Sequence, residues 1–147
     1  MSQENVDLVL GVIPPPEADL VQLVRDDDLW AQLSDAIGPL FHADFECVAS
    51  LVGDQRTYSG GGLDAFRAFW LDWLAPWVSY RMEEIEQVID CGDRVVVIVR
   101  DFGRLKGAEH EIRGRNAGVW TLRKGQAIRW EGYPEPVEAL KAVGLEE

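Results

Sequence analysis

The chain has 147 residues, one domain's length, and a domain of that size buries on the order of 70% of the surface its unfolded chain exposes. Hydrophobic residues at 47% and charged residues at 27% are globular proportions, which excludes a disordered chain. With 26 Asp and Glu against 14 Lys and Arg, the net charge of -12 would repel phosphate backbones and anionic lipid, so neither nucleic-acid nor membrane partners are expected.

Val6 to Ile13 is a short apolar segment that Pro14-Pro15-Pro16 ends, so any helix there is brief. Leu20, Val21, Leu23 and Val24 precede Asp26 to Asp28, a helix-start signal, and Leu29, Trp30, Leu33, Ile37 and Leu40 follow at helical spacing. Two helical pieces are expected before Gly38-Pro39. Phe41 to Leu51 alternates as a half-buried strand does, with Phe45, Cys47 and Ala49 inward. Tyr58 to Gly62 reads as a loop. Its glycines lack the Lys-Ser/Thr and preceding strand of a phosphate loop, so they read as a flexible entry to a helix. That helix opens at Leu63-Asp64 and carries Phe66, Trp70, Trp73 and Trp77 as one aromatic stripe, disturbed at Pro76.

Three apolar-rich stretches follow, Tyr80 to Asp90, Arg94 to Gly103 and Glu111 to Leu122, separated by turns at Cys91-Gly92-Asp93 and Lys106-Gly107. A fourth, Ala127 to Tyr133, comes after Arg123-Lys124-Gly125, and Pro134-Glu135-Pro136 introduces a last helix over Val137 to Val143 that Gly144 can cap. Helices, one strand, a helix and then consecutive antiparallel strands describe one α+β domain over 1–147, with helices packed on a sheet of four to six strands. The strand Val95 to Val99 is apolar on both faces, so its second face calls for helices, a ligand or another subunit, and a homodimer is the simplest cover. No run of about 18 apolar residues and no secretory pattern occurs, which reads as a cytoplasmic protein. Cys47, Cys91, His42 and His110 follow no ligand spacing; no metal and no cofactor is expected, and both cysteines read as ordinary thiols.

The order of these elements, with Gly61-Gly62-Leu63-Asp64-Ala65-Phe66-Arg67, Gly92-Asp93-Arg94-Val95-Val96-Val97, Val119-Trp120-Thr121-Leu122-Arg123-Lys124-Gly125 and Glu138-Ala139-Leu140-Lys141-Ala142-Val143-Gly144-Leu145, resembles the SnoaL-like branch of the NTF2-like superfamily. The match runs from about Leu29 to Leu145. The resemblance implies a cystatin-like cone, a curved antiparallel sheet wrapped around N-terminal helices with a short C-terminal helix, a pocket at its open end and often a dimer. Relatives include ketosteroid isomerases, limonene epoxide hydrolases and polyketide cyclases, so fold alone assigns no activity.

The acids those relatives use are not found at the matching positions. The isomerase base falls at Ala49-Ser50 and the isomerase's buried acid near Gly118. The epoxide hydrolase Arg-x-Asp falls at Arg94-Val95-Val96, and its second Asp at Gly132. The cyclase acid falls among Asn116 to Gly118. The resemblance therefore implies a SnoaL-like protein of unassigned activity that binds a small apolar or polycyclic molecule. The alternative is an isomerase, polyketide cyclase or epoxide hydrolase-like enzyme with a non-standard acid and base set.

Strand parity shared with the family's pocket-facing positions puts Arg100 and Asn116 in the site, alongside Val96, Ile98, Gly118 and Trp120. The other reading of Arg100 and Asn116 is an exposed strand end or a satisfied salt bridge. Asp101 falls on the opposite face by this count, and becomes the one nearby candidate base if the count slips by one residue. Trp70, Trp73, Trp120 and Trp130 are apolar-wall candidates for a flat ligand, or else plain core.

Overall fold

A short helix, α1 (Ser2–Val12), precedes two helices that aspartates open. In the computed structural model, which describes residues 2–51 and 54–145, Asp19 Oδ1 accepts the Val21 N–H at 3.0 Å to start α2 (Leu20–Arg25). Asp26 Oδ1 accepts the Asp28 and Leu29 N–H groups at 2.9 and 3.0 Å to start α3 (Asp27–Ile37), whose first turn adds Asp27 and Asp28 at the positive end of the helix dipole. The acidic pair at 146–147 and the side chain of residue 50 lie outside the described residues.

A single 3-10 turn (Gly38–Leu40) leads into β1 (Phe41–Leu51), where Phe45, Cys47 and Ala49 are buried as their alternation predicts. β2 (Asp54–Ser59) pairs antiparallel with β1 and takes in Tyr58 and Ser59, which the sequence reads as loop. Gly60, Gly61 and Gly62 all have positive φ, at 95, 79 and 62°, a run only glycine adopts without strain. It delivers the chain to α4 (Leu63–Trp73), which ends before Pro76, so Trp77 leaves the aromatic stripe and opens β3 (Trp77–Asp90) instead. β4 (Arg94–Leu105), β5 (Ile112–Arg123) and β6 (Gln126–Tyr133) continue the meander, and α5 (Pro136–Ala142) closes the described chain.

The six strands lie in the order β2-β1-β6-β5-β4-β3 as one curved, unclosed sheet. Four of the five pairings are antiparallel, but β1 and β6 run parallel, which corrects the all-antiparallel expectation. Hairpins dictate direction within β1–β2 and within β3 to β6, and none links β1 to β6, so that pair is free to be parallel. Register shifts in β3, at β1–β6 and at β5–β6 bend the strands, as bulges do.

The concave face carries the main core, in which Val9, Leu20, Val24 and Trp30 of the N-terminal helices are buried together with Phe45 and Trp120 of the sheet. The convex face carries a second, smaller core: Val96 and Ile98 of β4 with Ala117 and Val119 of β5, covered by Ala139 of α5 and by Val143 just after it. The two-sided apolar strand is thus buried on both faces by this chain's own helices, and its outer face does not require a second copy.

Candidate functional site

Parity on β5 places Asn116, Gly118 and Trp120 on the concave face, opposite Val99, Val97 and Val95 of β4. β4 therefore presents its odd residues inward and its even ones outward. This corrects the assignment of Val96, Ile98 and Arg100 to the pocket, which was one residue out of step. Arg100 lies on the convex side with its side chain 56% exposed, its Nε 3.0 Å from Glu86 Oε2. Arg115 Nη2 binds the other oxygen of the same carboxylate at 2.6 Å, and Arg115 and then Arg100 hold the Glu86 carboxyl below its ordinary range. Arg100 is the satisfied salt bridge, not the site's anchor.

Between the concave sheet, α4 and the helices α1 to α3 lies a cavity of about 710 Å³, counting the part open to solvent. Trp30, Phe66, Trp70, Trp120 and Trp130 supply its aromatic walls, while Val12, Ile13, Pro14, Leu20, Leu23 and Val24 close it from the N-terminal side. Asn116 is the one lining residue that carries an amide or any charged or hydroxyl group. A second cavity of about 400 Å³ shares Trp70, Asn116 and Trp130 with the first and adds Trp73, Gly132 and Tyr133. Five of the six residues expected at the pocket thus line a cavity, and Arg100 does not.

Trp130 leans flat over the sheet because the positions beneath it have no side chains. Gly118 and Gly132 are Cα partners across β5 and β6, and a Cβ on them would stand 2.3 and 2.4 Å from the Trp130 ring. These are the positions at which the resemblance would put the isomerase's buried acid and the epoxide hydrolase's second Asp. The indole occupies the space that either acid would need. Phe66 packs at 5.1 Å from the same ring and at 5.6 Å, edge-on, from Trp120, so the wall is a continuous aromatic cluster.

Behind Asn116 sits a polar cluster. Asp101 points to the concave side; its Oδ2 accepts the Tyr80 hydroxyl proton and, at 2.5 Å, the Asn116 Nδ2–H. Asn116 Nδ2 also lies 3.1 Å from the Tyr80 oxygen. Burial, and secondly the charge of Asp101, push the Tyr80 phenol well above its ordinary range, so it stays protonated and donates. Asp101 itself lines neither cavity. Tyr80 escaped the sequence reading because two register shifts, between Ile85 and Gln87 and between Met82 and Glu84, lie between it and the β3–β4 turn, and no residue pattern announces the bulges that set Tyr80 opposite Gly103 and diagonal to Asp101. The N-terminal lining from Val12 to Val24 was missed for a simpler reason: aliphatic residues look alike whether they face a core or a cavity.

Among the described residues no group of three or more His, Cys, Asp or Glu is placed to hold a metal ion. Cys47 is buried, which raises its thiol pKa and leaves it inert, and Cys91 is free and partly buried. His42 Nδ1 accepts the Asp44 N–H at 2.9 Å, a local bond within β1. No helix of the described residues is long and apolar enough to cross a membrane.

Residues 18–130 match the sequence profile of the SnoaL-like domain family. Among solved structures, a putative SnoaL-like polyketide cyclase from Jannaschia sp. CCS1 superposes with a TM-score of 0.68 at 17% identity, over 99% of this chain and 95% of that one. TerC co-crystallized with polyporic acid gives 0.63 at 21% identity, over 95% and 98%. A hypothetical protein with a ketosteroid isomerase-like fold from Catenulispora acidiphila DSM 44928, in complex with trimethylamine, gives 0.62 at 18% identity, over 95% and 93%. A search of the curated proteins finds no significant match. At these identities the likeness is one of fold.

Proposed function

The chain belongs to the SnoaL-like domain family, and from that membership we propose that it holds a flat, largely apolar small molecule in the larger cavity. The observation that carries this reading is the lining: aromatic and aliphatic walls with one amide, the composition of a small-molecule site. A fold neighbour co-crystallized with polyporic acid lends support from outside the chain. Thermal unfolding against steroids, aromatic polyketide-like compounds and terpene epoxides tests the reading. A ligand at 100 times its dissociation constant stabilises by about 2.7 kcal/mol. Stabilisation by one of these classes, kept in Arg100→Leu and lost in Trp120→Ala, is the expected result. A panel in which no compound shifts the transition overturns it.

The enzyme reading has one specific observation in its favour, a carboxylate tied to a tyrosine and an asparagine on the concave side. It is the weaker of the two, because Asp101 lines neither cavity and Asn116 stands in front of it. Turnover of any compound that binds, abolished in Asp101→Asn, would promote it. Two unpaired cysteines among the described residues suit a reducing compartment, which supports a cytoplasmic location.

A further inference from the structure

Resting on the larger cavity as a ligand site, we infer that Asn116 presents a hydrogen-bond acceptor to the ligand and no competing charge, so that the cavity selects a molecule bearing a hydroxyl or N–H on an otherwise apolar frame. An asparagine amide can turn either its oxygen or its nitrogen toward a neighbour, and here the neighbour decides. An aspartate carboxylate only accepts, so the group facing Asp101 Oδ2 at 2.5 Å has to be the Asn116 nitrogen. With the amide reversed, two acceptors would meet at that distance with no proton between them. Tyr80 reinforces the choice: its one hydroxyl proton goes to Asp101, which leaves its oxygen to accept from Asn116 Nδ2 at 3.1 Å.

Nitrogen inward means oxygen outward. Asn116 Oδ1 takes no hydrogen bond from any described residue, and among those residues no buried side-chain N or O lacks a partner. That oxygen is therefore reachable, on a residue that lines both cavities. In the larger cavity it is the only side-chain oxygen of the lining. Asp101 and Tyr80 are on this account positioning residues, which fix the polarity of the one side-chain amide in the larger cavity's lining without touching the ligand.

A pair of probes of nearly equal shape reads this polarity directly: 2-naphthol, which can donate, and 2-methoxynaphthalene, which cannot. Titration calorimetry or tryptophan quenching on the full chain should give 2-naphthol about tenfold tighter binding, the worth of one good hydrogen bond. Asn116→Leu should abolish the preference. Asp101→Asn, whose amide can donate to Asn116 Oδ1 and so release the fixed orientation, should cut the preference to about threefold or less with the secondary structure unchanged. Equal binding of both probes by the natural chain, or a preference that survives Asn116→Leu, overturns the inference while the cavity stays a ligand site. If neither naphthalene binds, the inference falls, and the ligand-site reading falls with it only where the thermal panel is blank as well.

Discussion

The Trp130 indole rests on two glycines that face each other across β5 and β6, and single-atom sterics decide what can replace them. Alanine in a strand usually gains a few tenths of a kcal/mol over glycine by restricting the unfolded chain, about 0.4 to 1 kcal/mol at compatible sites. At Gly118 and Gly132 a Cβ would stand 2.3 and 2.4 Å from the ring, well inside contact distance, so overpacking wins. Gly118→Ala and Gly132→Ala should each destabilise by about 1 to 3 kcal/mol in urea unfolding, and unchanged midpoints would mean that Trp130 has room to move. The same geometry gives a physical account of why both positions lack the acids of the catalytic relatives. The error at Arg100 also belongs to this scale: Val95 to Val99 is apolar on both faces, so period two carries no signal there, and the direction of every side chain on β4 hung on a single register unit. On β5 Ala117 and Val119 are as buried as Trp120, so burial alone gives no parity there either, and Asn116 and Trp120 were legible only through the family resemblance.

Among the elements, α5 is short, yet it covers the convex patch of Val96, Ile98, Ala117 and Val119. Cutting the chain before Pro134 should uncover that patch and raise the association state relative to the full chain at matched concentration, measured by sedimentation; equal sedimentation would show that the patch does not drive association. Most elements could be read in advance because their boundaries are chemical. Asp26 caps a helix, Pro76 stops one, and Gly144 at φ 83° follows the last. β2 could not, because Asp54-Gln55-Arg56-Thr57-Tyr58-Ser59 is a polar edge strand whose existence depends on β1 offering it partners. Trp77 was misplaced because a helical spacing continues on paper after the proline that ends the helix.

For the molecule as a whole, all three tyrosines have raised pKa values, each chiefly through burial: Tyr58 above its ordinary 10.0, Tyr80 well above it and Tyr133 to about 12. The unfolded chain ionises first, so it binds fewer protons than the folded one above pH 10, and stability falls as pH rises. Their contribution is complete below that pH and is lost progressively upward, for Tyr133 between pH 10 and about 12. The urea midpoint should drop over this window together with the rise in phenolate absorbance, and Tyr133→Phe should flatten the drop; phenolate appearing before unfolding would contradict it. The strand order carries one more consequence. β1 and β2 form one local piece and β3, β4 and β5 another, and only β6, the last strand made, joins them. During synthesis the cavity has no complete wall until residue 133 has left the ribosome, and its closure brings Cys47 beside Trp130 across most of the chain. Such a high contact order makes folding slow, and it leaves two sheet fragments with open edges waiting on one strand.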